Sequence, residues 1–252
     1  MQACGTPNLN QTLHENGYQL LPFPAEIAHA MRTHIASYIG ANSLEAITEI
    51  LMQLPEEEFR SRFAKPNRYF PNDVVQLVLA WIEELKGPMG ALEVGINSVA
   101  PIEVENYPHL KIEDRDLFWR CVRPNKADVG RPHRDSQFWN IYADSKYQSN
   151  VPFDYDERWK IWIPLMGCDQ DNSLQVIEKS HLVDVPLLSI ETSNGPKPDI
   201  DGKWLATQKF SKPFKEQNEK CILFHDDLVH AGPPNLGKWA RFSAEFTVLL
   251  AR

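Results

Sequence analysis

The chain reads as an α+β protein, mainly β, in which N-terminal helices pack on one sheet of a double-stranded β-helix, a jelly-roll or cupin-like barrel. Three features of its 252 residues predict this. Helix signals dominate the first third. From Asp116 onward, short runs rich in β-branched and aromatic residues take over. The last of them, Ala240 to Leu250, alternates without a break: Phe242, Ala244, Phe246, Val248 and Leu250 fall on one face, and Arg241, Ser243, Glu245 and Thr247 on the other. That is the period of a strand with one face buried. A chain of this length supports one sizeable core, so a single domain over residues 1–252 is expected, mostly helical over 1–115 and barrel over 116–252.

Taken in order, Pro24 opens a helix, because a proline in the first turn costs no hydrogen bond. The segment Glu56 to Phe63 is a charged helical stretch whose acidic run reads as a solvated face. Asn72 can cap a helix over Asp73 to Lys86, with Gly87-Pro88 as its stop. Leu117 to Arg123 is a strand that ends at Pro124, and Arg158 to Leu165 alternates Trp159, Ile161, Ile163 and Leu165 against Lys160 and Trp162. Two long stretches, 140–157 and 182–218, read as irregular loops. Loops of such length in a compact domain are functional lids or disordered segments. The first carries Tyr142, Tyr147, Phe153 and Tyr155 and suits a cover over a substrate; the second holds an Asp201-Gly202 turn.

The chemistry begins at Arg131-Pro-His133-Arg-Asp135-Ser-Gln137-Phe-Trp139. Alternate residues of a strand point the same way, so His133 and Asp135 can reach one ion together. A second histidine from a distant segment, His230 in His225-Asp-Asp-Leu-Val-His230-Ala-Gly-Pro-Pro-Asn235, would complete two imidazoles and one carboxylate. That set occupies one face of an octahedral metal and leaves the opposite face open, as non-haem Fe(II) oxygenases require. His-x-Asp alone is a common accident, and His225-Asp-Asp227 is a second match in this chain. The combination says more. Arg241 and Ser243 follow closely, and a planar guanidinium beside a hydroxyl suits a carboxylate such as that of 2-oxoglutarate. The polar face that carries them either meets water or lines a barrel interior.

On these residues the chain resembles the phytanoyl-CoA dioxygenase-like family of Fe(II)/2-oxoglutarate-dependent oxygenases. Glu15 to Pro22 is similar to the family's opening strand, and His133-x-Asp135 to its ligand pair. Trp162-Ile-Pro-Leu165 and Asn172 to His181 resemble its central strands and Ser-His turn, and Cys221 to Asn235 resembles its distal-ligand strand. The resemblance implies Fe(II) held by His133, Asp135 and His230, with His225 outside the set, and 2-oxoglutarate held by Arg241 with Ser243. It implies oxidative decarboxylation of the keto acid by O2 to succinate and CO2, coupled to oxidation of a small metabolite. Hydroxylation is favoured over halogenation, because the halogenating relatives replace the carboxylate that is Asp135 here. Gln137, Trp139 and Trp162 are candidate substrate contacts. The chain departs from the family at Arg134, where glutamine is frequent, at Glu178-Lys179 before the Ser-His turn, and at Gly232, where serine is frequent.

Composition bounds the partners. A net charge of −8 and a pI near 5.5 oppose binding to phosphate backbones, so no nucleic-acid partner is expected. No apolar run approaches a spanning helix and no leader is evident, so a cytoplasmic enzyme without a membrane partner is expected. The scattered Cys4, Cys121, Cys168 and Cys221 read as reduced thiols. The oligomeric state is not legible. Two rivals remain at this point: a metal-dependent hydrolase, which leaves Arg241 and Ser243 unexplained, and a non-catalytic jelly-roll metabolite-binding protein.

Overall fold

The computed structural model describes residues 9–91, 93–97, 117–138, 157–192, 195–214 and 219–251. A short helix α1 (Leu9–Asn16) and strand β1 (Tyr18–Pro22) lead into four helices: α2 (Ala25–Ile39), α3 (Leu44–Gln53), α4 (Glu56–Arg62) and α5 (Asn72–Met89). Helix α2 buries Ile27, Met31 and Ile35, spaced about one turn apart, and closes on Gly40 at φ 89°. Helix α3 starts at Ser43, whose hydroxyl accepts the Ala46 N–H at 3.1 Å. Helix α5 differs from expectation at both ends. Pro71 occupies the cap, while the Asn72 side chain accepts from Gln76 instead. The helix also runs through Gly87-Pro88 to Met89, and Gly90 in the left-handed region ends it. Pro88 lies in the last turn, where only one backbone bond is lost, so the helix need not stop there.

The strands are β2 (Glu93–Asn97), β3 (Phe118–Val122), β4 (Glu157–Met166), β5 (Gln175–Val176), β6 (Leu187–Thr192), β7 (Gly195–Ile200), β8 (Lys220–His225), β9 (His230–Ala231) and β10 (Arg241–Ala251). Six of them form one antiparallel sheet in the order β1-β8-β4-β10-β2, with β3 also paired to β10. One face of this sheet receives the helices. Phe242, Ala244, Phe246, Val248 and Leu250 of β10 and Trp159, Ile161 and Ile163 of β4 join Met31, Ile35, Leu51 and Ile82 in one buried cluster. The Thr48 hydroxyl of α3 fastens the layers by donating to Leu44 O and accepting the Ala240 N–H at 2.9 Å. Helix α4 is more than a solvated face: Phe59 is buried, and Glu56 pairs at 2.6 Å with Arg123, itself 1% exposed and bound to Asp128.

The second layer is smaller. β5 pairs with β9, and isolated bridges add His133 to His230 and Ser211 to Val176. Among the described residues, pairing between the two layers does not close a continuous barrel. Residues 182–218, expected to be irregular, hold the hairpin β6–β7 in the register Leu187↔Ile200 and a helix α6 (Gly202–Ala206) capped by Asp201. Proline obscured the hairpin. Pro196 and Pro198 lie two apart, so their missing donors fall on the same side of the strand and leave the pairing with β6 intact. The first expected loop, 140–157, and the aromatic cover expected there lie outside the described residues except for residue 157.

Candidate metal centre

His133 and His230 face each other across an antiparallel bridge, each donating its backbone N–H to the other's carbonyl at 3.1 Å. This pairing sets the two imidazoles side by side, with ring centroids 4.5 Å apart. Each Nδ1 lies against a backbone carbonyl two residues earlier, His133 on Arg131 O at 2.7 Å and His230 on Leu228 O at 2.9 Å. A carbonyl only accepts, so both Nδ1 atoms carry the proton and both Nε2 atoms present a lone pair. Those two atoms converge on Asp135: His133 Nε2 lies 3.6 Å from Oδ1 and His230 Nε2 lies 3.8 Å from Oδ2.

The electrostatics match that arrangement. Burial, the largest effect on His230, pushes its imidazole down to about 4, so the ring is neutral at neutral pH. Burial opposes ionisation of Asp135, but Lys160, His230 and His133 more than offset it and hold the carboxyl well below the usual range. Asp135 is 4% exposed, and its Oδ2 is buried with no hydrogen-bond partner. A buried ionised oxygen is costly unless something cationic meets it, and here the Lys160 ammonium approaches Oδ2 at 3.4 Å. Ligand atoms of His133, Asp135 and His230 all lie within 4.8 Å of one another. Two imidazoles and one buried carboxylate are a donor set that fits a divalent iron.

The surroundings hold these side chains in place. Phe138 meets the His133 ring edge-on at 5.4 Å, and Phe224 packs on His230 at 4.7 Å. Arg134, between the ligands, sends Nη2 to Ser180 O and, at 2.9 Å, to Val183 O, while the Ser180 hydroxyl accepts the Val229 N–H at 2.8 Å. The Ser-His turn is thereby tied to both ligand segments. That accounts for an arginine at 134: it reaches carbonyls a shorter amide would miss. His225 belongs elsewhere. It groups with Asp226 and Asp227, but those carboxylates are engaged by Arg158 and Ser136, and its Nδ1 accepts the Asp227 N–H at 3.1 Å.

The polar face of β10 turns away from the helices and is buried. Arg241 is 5%, Ser243 2% and Thr247 1% exposed, so the choice between water and an interior wall falls to the wall. The Arg241 Nη1 donates to Asn172 O and, at 3.1 Å, to Pro233 O, while its Nε is buried without a partner. A Cβ on Gly232, two residues past His230, would come within 3.0 Å of the Arg241 Nη2. The guanidinium thus lies against the distal-ligand loop, and the glycine leaves room for it.

Of the candidate substrate contacts, Trp162 is on the interior wall and packs on Phe214 at 5.3 Å. The Gln137 amide is committed to backbone, accepting from Arg134 N at 3.0 Å and donating to Asp199 O at 3.1 Å, which makes it a brace for the motif. Trp139 lies outside the described residues. Sequence reasoning passed over Lys160, whose ammonium sits 3.4 Å from Asp135 Oδ2. The signal was present: Lys160 has the same strand parity as Trp162, so it shares the wall.

Comparison with known proteins agrees with this geometry. The family model for phytanoyl-CoA dioxygenase matches residues 104–243. No curated protein sequence matches the chain. Among solved structures, EctD from S. alaskensis with 2-oxoglutarate and 5-hydroxyectoine is similar at a TM-score of 0.58 and 14% identity, covering 99% of this chain and 77% of that one. The non-haem α-ketoglutarate-dependent carbocyclase SnoK from nogalamycin biosynthesis gives 0.53 at 12% identity, covering 97% and 83%. The non-haem monooxygenase ThoJ gives 0.53 at 14%, covering 96% and 77%. At such identities these structures speak for the fold, a cupin-like double-stranded β-helix. The family match spans more than half of the sequence, and with it the chain belongs to the phytanoyl-CoA dioxygenase family of Fe(II)- and 2-oxoglutarate-dependent oxygenases.

Proposed function

We propose that the chain is a single oxygenase domain that hydroxylates a small molecule, with His133, Asp135 and His230 holding Fe(II) and Arg241 with Ser243 holding the C5 carboxylate of 2-oxoglutarate. The observation that carries the reading is the convergence of a ring nitrogen of His133, a ring nitrogen of His230 and a carboxylate oxygen of the buried Asp135, all within 4.8 Å of one another. Iron and the keto acid together supply the activation of O2 and release succinate and CO2. The chain's own residues do the rest. Arg131 O and Leu228 O keep both imidazoles in the ligating tautomer. Arg241, with a free Nε in a buried wall, offers a charge-assisted grip on an anion. Asp135 fills the position a halide would need, so chloride or bromide in excess should yield no halogenated product; a chlorinated product from the unaltered protein would refute this.

The core test is titration of anaerobic Fe(II) protein with 2-oxoglutarate, following the metal-to-ligand absorption band, together with succinate formation in air. Failure of the band to appear would sink the reading. The described cysteines, Cys121, Cys168 and Cys221, are buried and unpaired, which suits the reducing cytoplasm we propose as its setting. Among the described residues no helix is long and apolar enough to cross a membrane.

A further inference from the structure

Lys160 is an unusual residue for a barrel wall. It is 4% exposed, on the interior face of the central strand β4, with its ammonium 3.4 Å from the metal-binding carboxylate of Asp135. Its cross-strand neighbours are Phe224 on β8, which packs on His230, and Thr247 on β10. Thr247 is 1% exposed, and its Oγ1 is buried with no hydrogen-bond partner. A cation and an unsatisfied hydroxyl therefore lie side by side on the wall, directly opposite each other in register.

The charges of the site show what this pair lacks. On the reading above, Fe(II) is matched by Asp135 and the C1 carboxylate of 2-oxoglutarate, and Arg241 by the C5 carboxylate. Glu245, the other acid on this wall, is bonded by Arg120 at 2.5 Å. Before metal arrives, Lys160 offsets the buried charge of Asp135. Once iron takes that carboxylate, the remaining acid near Lys160 among the described residues of the wall is Glu245, which it shares with Arg120. An ammonium in a dry interior that only shares its anion is costly. Position points the same way. Thr247 lies about 20 Å along β10 from Arg241 at roughly 3.3 Å per residue. A five-carbon diacid anchored at Arg241 is too short to reach it. The Lys160 ammonium thus lies at the metal end of the keto acid, and Thr247, opposite it in register, lies beyond the part of the interior that 2-oxoglutarate fills.

We infer that Lys160 and Thr247 form an anion subsite that receives a carboxylate of the substrate, so that the substrate class is small carboxylic acids whose apolar frame lies beside Phe224. This rests on the proposed iron and 2-oxoglutarate site and adds the substrate's anchoring group to it.

The test uses anaerobic Fe(II) protein saturated with 2-oxoglutarate, so that added acids cannot report from Arg241. It is titrated with a panel of small carboxylic acids and their primary amides, benzoate with benzamide and L-phenylalanine with its amide among them. The readout is perturbation of the metal-to-ligand band. Wild type should respond to acids at concentrations at least about 10-fold lower than to the matched amides, given the strength of hydrogen bonds to charged groups. In K160M that preference should vanish, in K160R it should largely persist, and in T247V it should shrink by a smaller factor of about 2 to 10. Thermal unfolding of each variant shows whether it folds, and T247V decides the matter if K160M does not. A wild type that forms the band yet shows no preference for acids overturns this proposal alone. So does a folded K160M that keeps the preference. A wild type that forms no band overturns the underlying site and this inference with it.

Discussion

At the scale of single residues, the site separates histidines that look alike in sequence. His225 and His230 lie five residues apart on either side of Asp226-Asp227, but only His230 presents a lone pair beside Asp135. Alanine at His133, Asp135 or His230 should abolish iron-dependent turnover, whereas H225A should retain full iron stoichiometry by metal analysis; the reverse pattern would show the assignment to be wrong. Arg241 makes a graded prediction. Hydrogen bonds to charged groups contribute about 1.5–3 kcal/mol, so R241A should weaken 2-oxoglutarate by roughly 10- to 150-fold. S243A should cost less, since a neutral donor contributes only about 0.5–1.5 kcal/mol. Anaerobic titration measures both, and a folded R241A that binds like wild type would remove the cofactor half of the reading. The motif spacing singled out His133, Asp135 and His230, which the structure brings within 4.8 Å of one another, and Arg241, which it buries on the interior wall, because ligand chemistry restricts residue type. For Lys160 the sequence offered only its shared parity with Trp162 and not its partner Asp135, because a lysine inside an alternating strand looks like any solvated residue until its partner strands are known.

At the scale of elements, what was legible followed from how strictly burial dictates pattern. β10 has one face against helices and one in the interior, and its alternation gave its bounds to within a residue. The β6–β7 hairpin packs less of its surface: Leu187 is 41% and Leu188 49% exposed, so no clean alternation survives, and two prolines disguise what is left. Helix α5 overran its expected stop because a last-turn proline breaks fewer bonds than an internal one. The junction of β4 with β10 carries a prediction of its own. Gly167 ends β4 at φ 63°, and a Cβ there would lie 2.1 Å from Ala240 O, next to the register shift that precedes Ser243. No side chain fits without moving the start of β10. G167A should therefore destabilise the fold by more than about 2 kcal/mol, at the severe end for point mutations. It should also weaken 2-oxoglutarate, since Arg241 is seated by that backbone. Urea unfolding and the same anaerobic titration read the two effects, and an unchanged midpoint would contradict the geometry.

At the scale of the whole molecule, the charges are arranged so that the interior favours the metal-ready state while one nearby carboxyl resists ionisation. Asp226, at the end of β8, is 6% exposed. Burial first, and then repulsion from Asp227, push its carboxyl up to about 7, and Arg158 at 3.2 Å only partly counters them. In the unfolded chain the same group titrates near 3.9. The folded protein therefore holds a proton on Asp226 between about pH 4 and pH 7 that the unfolded chain has released, and stability must fall as pH rises through that window. His225 works in the opposite sense: burial lowers its imidazole, so its contribution is present at higher pH and lost as pH falls. The two offset each other in wild type, and substitution separates them. D226N keeps the shape and removes the titration. It should gain stability relative to wild type on going from pH 5 to pH 8, on the order of 2 kcal/mol. Its own profile should rise with pH as the His225 contribution is left unopposed. Urea unfolding at pH 5, 6, 7 and 8 measures this. Parallel profiles for D226N and wild type would mean that Asp226 is ionised throughout, with Arg158 dominating its environment.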